Sequence, residues 1–297
     1  MRLDLWSAQG RLPLRHFPSP ILTVSDGCRR SATQACLIDE MICTMQPALR
    51  AILLGASNLK MGLPRVVRRL HAIAEGPVDV LAACGHGRSY VQWSRILFGA
   101  RGLPGIVGCG LWKALAGRPP LPTVALVMDV GNDLLYGPAT AEIAAAFATC
   151  LERLTALGAA VTTMTLPMIS LEKVSSLRYH CARTILFPGR GEPWGALLER
   201  ARDLDRRCRQ AAAAHGACLV EPQAGWYGVD PIHFHGRQRQ RAWDQILASW
   251  PARAPGTLGG EARIPLFGAE EMRLCGVSRT TVQPACRLSD GSTISLF

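Results

Sequence analysis

Four short stretches of this 297-residue chain hold residue types that can move protons and stabilise negative charge. They are Gly55-Ala56-Ser57-Asn58, Gly85-His86-Gly87-Arg88-Ser89, Gly131-Asn132-Asp133 and Asp230-Pro231-Ile232-His233. A serine hydroxyl is a weak nucleophile near neutral pH and needs an adjacent base. An unperturbed imidazole titrates near neutrality, so His233 can take the Ser57 proton and later return it to a leaving group. Asp230, three residues earlier, can accept the other ring N–H and hold the tautomer. The Gly87 amide, with no side chain over it, and the Asn132 carboxamide can donate to a developing oxyanion, each such donor being worth about 3–4 kcal/mol in a transition state. Each stretch also has a simpler use. Ser57 or Asn58 serves as a helix N-cap, Gly131-Asn132-Asp133 as a turn, and Asp230-Pro231 as a turn starter. His235 competes for the role of base, but the three-residue spacing from Asp230 favours His233.

These stretches make a site only if the fold gathers them, and the hydrophobic pattern predicts that it does. Ala51–Leu54, Val78–Cys84, Thr123–Asp129, Ala160–Leu166 and Ala217–Val220 read as five strands, the third continuously apolar as a strand buried on both faces should be. Between and after them, helical spacing runs over Leu63–Glu75, Tyr90–Phe98, Ala139–Leu157, Trp194–His215 and Gln238–Trp250, with Gly158 ending the third. Such alternation predicts a three-layer α/β/α sandwich on a five-stranded, flavodoxin-like parallel sheet. Ligands of open parallel sheets bind beyond the carboxyl ends of the strands, where strand order reverses. The four stretches follow the first, second, third and fifth strands. In the order 2-1-3-4-5 the first and third strands are neighbours, which sets Ser57 beside Asn132.

Taken in this chain order, the four blocks resemble those of the SGNH (GDSL-like) hydrolase superfamily, over residues 48–250. The resemblance implies that Ser57 is the nucleophile and that Gly87 and Asn132 form an oxyanion hole with the amide of Ser57. It further implies that Asp230 and His233 complete a catalytic triad, with no metal and no organic cofactor. The expected activity is that of a serine esterase, a carboxylic ester hydrolase cleaving a small or medium acyl ester through an acyl-serine. The same residues would serve an acyltransferase. Two departures stand out: Ala56 occupies the place of the usual aspartate of Gly-Asp-Ser, and Val130 that of a glycine two residues before the asparagine. The missing aspartate keeps a non-catalytic binding or scaffold protein on the same fold as the alternative. Asn58, His86 and Tyr179 are candidate substrate-lining residues.

Composition narrows the remaining choices. With 48% hydrophobic and 19% charged residues the chain can bury a large core. The net charge of +11 is almost all arginine, since Lys60, Lys113 and Lys173 are the only lysines. The arginines scatter over predicted helices, so they read as solvated faces; a small-molecule ester, not nucleic acid, is the expected partner. No run of eighteen apolar residues lacks interruption, so no membrane span is expected. Gly85-x-Gly87 and Gly108-x-Gly110 lack the third glycine of a dinucleotide fingerprint and no Walker-type lysine follows either, which argues against NAD and ATP. Eleven cysteines in no CxxC pair suggest a reducing, cytoplasmic setting, with Cys84, Cys109, Cys150 and Cys218 as small core residues. Residues 1–47 read as an irregular arm and 251–297 as a linker and tail with strand-like pieces at Arg263–Phe267 and Thr293–Phe297. Residues 168–191 form a long insertion, read as a partly apolar wall or lid through Met168, Ile169, Leu171, Tyr179, His180, Ile185, Leu186 and Phe187.

Overall fold

The structure, a computed structural model, describes residues 46–96, 99–176, 179, 192–250, 265 and 268–297. Most of the predicted arm, the linker, the piece at 263–267 apart from Pro265, and His180, Ile185, Leu186 and Phe187 lie outside the described residues. Five parallel strands appear where the pattern places them: β1 (Leu49–Gly55), β2 (Val78–Cys84), β5 (Thr123–Val127), β6 (Ala160–Met164) and β7 (Cys218–Val220). Two short antiparallel strands, β3 (Ser94–Ile96) and β4 (Arg101–Leu103), fall between β2 and β5. The helices are α1 (Ser57–Ile73), α2 (Leu111–Ala116), α3 (Thr140–Ala156), α4 (Met168–Leu171), α5 (Trp194–Ala214) and α6 (Arg239–Ile246).

Period-two alternation decides the layers. Ile52, Leu54, Leu81, Ala83, Ala125 and Val127 point into one core, against Phe147 and Leu151 of α3 and Leu204 of α5. Ala51, Leu53, Val80, Ala82, Val124 and Leu126 point into the other, against Val66 and Leu70 of α1 and Trp243 of α6. Strands buried on both faces are apolar along most of their length, which is why they read as hydrophobic runs. The α/β/α sandwich is therefore as expected. Helices α1 and α6 approach closely at Gly62, where a Cβ would sit 1.9 Å from the Trp243 ring.

The sheet is wider than the pattern suggests. Its order is β10-β11-β2-β1-β5-β6-β7, seven strands against the five expected. The additions come from the segment read as a tail: β10 (Cys286–Arg287) and β11 (Thr293–Leu296), the latter running parallel to β2. Two further strands, β8 (Glu271–Leu274) and β9 (Val277–Thr280), join β3 and β4 in a second, antiparallel sheet. The stretch Tyr90–Phe98, expected to be helical, instead supplies β3. Its short apolar spacing fits a helix or a strand, and pairing with Arg101–Leu103 decides the matter. Cys84, Cys109 and Cys150 are buried as expected, but Cys218 is exposed because β7 is the sheet's edge strand.

Buried charge fastens β11 to the sheet. Asp79 on β2 accepts Arg50 Nε at 2.9 Å, Thr293 Oγ1 at 3.1 Å and the Arg118 guanidinium. Arg50 is 4% exposed, so removing its partner strands a buried cation, which typically costs about 3–5 kcal/mol. Asp79→Ala is expected to lose stability of this order, read as a lower midpoint in urea unfolding with the m-value preserved.

Candidate active site

Strand register brings the reactive residues to one edge. Leu54 pairs with Ala83 on β2 and with Val127 on β5, so the three strands end together and the chain turns into Ala56–Ser57, Gly85 and Met128–Asp129. Helix α1 starts at Ser57 with Ala56 as its N-cap residue, and alanine has no side-chain acceptor for the orphaned first amides. The acceptor arrives from β5 instead. Asp129 Oδ2 accepts the N–H groups of Ala56 at 3.0 Å and Leu59 at 3.2 Å, a carboxylate at the positive end of the helix dipole.

The same carboxylate reaches the histidine loop through Asn58. Asp129 Oδ1 accepts Asn58 Nδ2 at 2.9 Å, and Asn58 Nδ2 also donates to the Ile232 carbonyl at 2.8 Å. Asn58 Oδ1 accepts the amide of Phe234 at 3.1 Å. Ile232 and Phe234 flank His233, so one buried aspartate sets both the serine turn and the histidine loop. Neither Ser57 nor Asn58 caps the helix; Ser57 Oγ is left for His233.

Ser57 Oγ lies 2.7 Å from His233 Nε2, and His233 Nδ1 lies 2.6 Å from Asp230 Oδ2. A carboxylate beside Nδ1 keeps the proton there, so Nε2 is free to accept the serine hydroxyl. Asp230 Oδ1 accepts the amides of Ile232 at 3.0 Å and His233 at 3.1 Å, a local turn that presets the ring. The hydrogen bond that His233 donates to Asp230 raises the His233 imidazole above its ordinary value, against burial and the charge of Arg239. Burial pushes the Asp230 carboxyl up, but the His233 hydrogen bond and the turn amides outweigh it and leave it below the usual carboxylate range. Burial raises Asp129, opposed by its hydrogen bonds from Asn58, Leu59 and Ala56.

An apolar cavity of about 670 Å³ opens beside Ser57, walled by Leu134, Leu135, Leu166, Leu171, Val174, Trp194 and Leu197. Asn132 lines it too, and its Nδ2 is buried without a hydrogen-bond partner among the described residues. An unsatisfied buried donor costs about 1–3 kcal/mol, so its place on a cavity that Ser57 also lines calls for an acceptor there. The amide of Ser57, first in its helix, likewise has no intrahelical acceptor. Thr165 Oγ1 and Tyr227 OH are buried on the same wall and equally orphaned among the described residues.

The other expected site residues fall as follows. Gly87 sits in the turn after β2 at φ +61°, a left-handed conformation natural to glycine. Its carbonyl accepts the Tyr136 hydroxyl, and it lines neither of the two cavities described here. Its loop is held by Asp133, which accepts the amides of Tyr90 at 2.8 Å and Val91 at 3.3 Å and the Ser89 hydroxyl. Asn58 borders the apolar cavity, but both ends of its carboxamide are engaged in the network above. Tyr179 forms part of the cavity wall, its ring 4.8 Å from that of Trp194 and its hydroxyl donating to the Glu192 carbonyl at 3.1 Å. His86 instead lines a second, more open cavity of about 690 Å³ on the other side of His233, together with His235.

Asp129 and the orphan hydroxyls were missed in the sequence. The one sequence signal of Asp129 is its place as the first polar residue after the apolar run of β5, just ahead of the Gly131-Asn132-Asp133 turn. Thr165 and Tyr227 carry no local signal, because only the fold brings them to the cavity. Arg200, Arg202, Arg206, Arg207 and Arg209 are in ion pairs with carboxylates, as solvated helix faces should be.

No family model and no curated protein matches the chain. Among solved structures it is similar to Est24, a carbohydrate acetylesterase from Sinorhizobium meliloti, at 13% identity over 67% of this chain and 99% of that one, with a TM-score of 0.43. The native aryl esterase of M. smegmatis matches at 16% identity over 68% of this chain and 100% of its own, with a TM-score of 0.43. A member of the lipolytic G-D-S-L family from Veillonella parvula matches at 13% identity over 68% and 98%, with a TM-score of 0.41.

The histidine gives a direct test. Because its folded value is raised, protonated His233 contributes stability that is complete below the unfolded value of 6.5 and is lost as pH rises through the folded one. NMR titration should place the His233 midpoint above 6.5. In Asp230→Asn, burial and Arg239 remain while the carboxylate is gone, so the midpoint should fall below that of the parent protein.

Proposed function

We propose that this protein is a serine esterase of the SGNH (GDSL-like) type, with Ser57, His233 and Asp230 as its triad. The observation that carries the reading is the unbroken Ser57–His233–Asp230 relay, at 2.7 and 2.6 Å, beside an orphaned Asn132 carboxamide on an apolar cavity. In this reading His233 Nε2 takes the Ser57 proton as Oγ adds to the ester carbonyl. Charge that develops on the carbonyl oxygen meets the Ser57 amide and Asn132 Nδ2; the Gly87 amide, the third donor the resemblance implies, lies outside the cavity that both of these line. The C–O bond then breaks, His233 protonates the departing alcohol, and the acyl-Ser57 is hydrolysed by a water that His233 activates.

Substrate size follows from the cavity. At about 670 Å³ with mostly hydrocarbon walls, it suits a small or medium acyl chain. The described part of the 168–191 insertion contributes Leu171, Val174 and Tyr179 to that wall, which supports its reading as an acyl-pocket wall. The base must be neutral to act, so the raised His233 value makes kcat/KM fall on acidification through a pH above 6.5.

Two measurements test the reading. A fluorophosphonate should label Ser57, located by mass spectrometry, and labelling and p-nitrophenyl ester turnover should both vanish in Ser57→Ala. A folded protein with neither would favour a binding protein on the same fold. Asn132→Ala should keep the label site but lower kcat by about 10²–10³-fold, the usual loss for one oxyanion donor.

A further inference from the structure

Three of the four tyrosines in this chain have a partner for the hydroxyl. Tyr90 donates to the Met128 carbonyl at 2.7 Å, Tyr136 to the Gly87 carbonyl and Tyr179 to the Glu192 carbonyl at 3.1 Å. Tyr227 is the exception: it is 9% exposed, and its hydroxyl is buried without a partner among the described residues. The threonines at the end of β6 show the same contrast. Thr162 Oγ1 lies 2.9 Å from Ser249 Oγ, and Thr163 Oγ1 donates to the Val127 carbonyl at 2.9 Å. Thr165, just past the strand and 2% exposed, has no partner for its hydroxyl among the described residues. Thr165 and Tyr227 both line the apolar cavity that Ser57 lines.

The sheet and the histidine loop fix where these hydroxyls stand. Val127 on β5 pairs with Thr163 on β6, so two residues further on Thr165 is level with Asp129, the anchor of the serine turn. The Thr165 amide donates to the Val220 carbonyl at 3.3 Å, which ties it to β7. Strand β6 lies two strands from β1, a distance of about 10 Å along the sheet edge. Tyr227 is held from the other side. Its backbone bridges that of Phe234, next to His233, and the two rings lie 5.7 Å apart. Burial, and then the charge of Asp129, push its phenol above the ordinary value, so it stays a neutral donor.

A buried hydroxyl left unpaired costs about 1–3 kcal/mol, and the walls around these two are mostly hydrocarbon. A hydroxyl can both donate and accept, so the pair complements an oxygen atom. Reaction geometry says which part of a substrate carries it. The acyl carbonyl must meet Ser57 Oγ and Asn132 Nδ2, which places the acyl chain in the apolar cavity. The side chains of Ser57 and Thr165 take up much of the distance between them, so the oxygen falls within a few carbons of the carbonyl. Resting on the esterase reading above, we propose that Thr165 and Tyr227 are specificity-determining residues that select an acyl group bearing a hydroxyl or keto oxygen along its chain. The net reaction is ester plus water giving a hydroxy or keto acid plus alcohol. The acyl–oxygen bond breaks, the proton of Ser57 passes through His233 to the alcohol oxygen, and water supplies the hydroxyl of the acid. The oxygen on the chain is bound and takes no part in the bond changes.

The test compares p-nitrophenyl hexanoate with its 3-hydroxy and 5-oxo derivatives, which share the ester and the leaving group. At least one oxygenated ester should be turned over with kcat/KM about tenfold higher or more, because a plain chain leaves both hydroxyls unpaired. This ratio should fall toward one in Thr165→Val, in Tyr227→Phe or in both, variants on separate segments that each remove a hydroxyl and little volume. Each also removes an unsatisfied buried group, so the thermal midpoint should hold or rise. A midpoint lowered by several degrees in either variant would show that its hydroxyl is partnered within the protein, and would overturn its role. Turnover of the plain ester as fast as either derivative, or a preference that neither variant lowers, would overturn the proposal and leave the esterase reading standing. No turnover of any of the three esters would overturn it as well, and the esterase reading falls with it if the fluorophosphonate also leaves Ser57 unlabelled.

Discussion

A single buried carboxylate organises the reactive edge of this protein. Asp129 takes up the left-handed backbone at φ +64°, uncommon for a residue with a side chain, and from there faces the first turn of α1. Burying it costs several kcal/mol, and hydrogen bonds to a charged group return about 1.5–3 kcal/mol each. It receives three, from Ala56, Leu59 and Asn58. Asn58 then spans to the backbone on both sides of His233. Ser57 and His233 therefore sit on two segments 176 positions apart that share one anchor.

That anchor also answers the anomaly of the Gly55-Ala56-Ser57 block. A helix beginning after alanine has no cap of its own, and a serine in its first turn would ordinarily be drawn into capping. With Asp129 capping from another strand, the Ser57 hydroxyl is released to His233 and the first amide stays open. An alanine at position 56, with no acceptor of its own, is thus accompanied by a carboxylate supplied through space.

Around this anchor the two sides of the histidine differ in chemistry. One side is hydrocarbon, built from α4, α5, the turn after β5 and the described part of the long insertion. The other is lined by His86, His235 and Arg239 together with Met61, Val229 and Phe234. The small antiparallel sheet holds Arg101 on β4 against β8 from the far end of the chain. The net charge of +11, diffuse in the sequence, is partly neutralised on the ion-paired face of α5.

What the sequence by itself determined was the local and the periodic. Alternation of apolar runs specified the parallel sheet and five of its strands, because a strand buried on both faces is apolar along most of its length. Polar residues at strand ends marked Ser57, Asn132, Asp230 and His233, because the topology of such sheets leaves those ends open to ligands. Tertiary structure decided whatever depends on contacts between distant segments. It made Ser94–Ile96 a strand where a helix was expected, inserted Thr293–Leu296 beside β2, and gave Asp129 and Asn58 a shared task. Those outcomes rest on hydrogen bonds and buried charge pairs that form only once the chain has closed on itself, and a one-dimensional pattern carries no record of them.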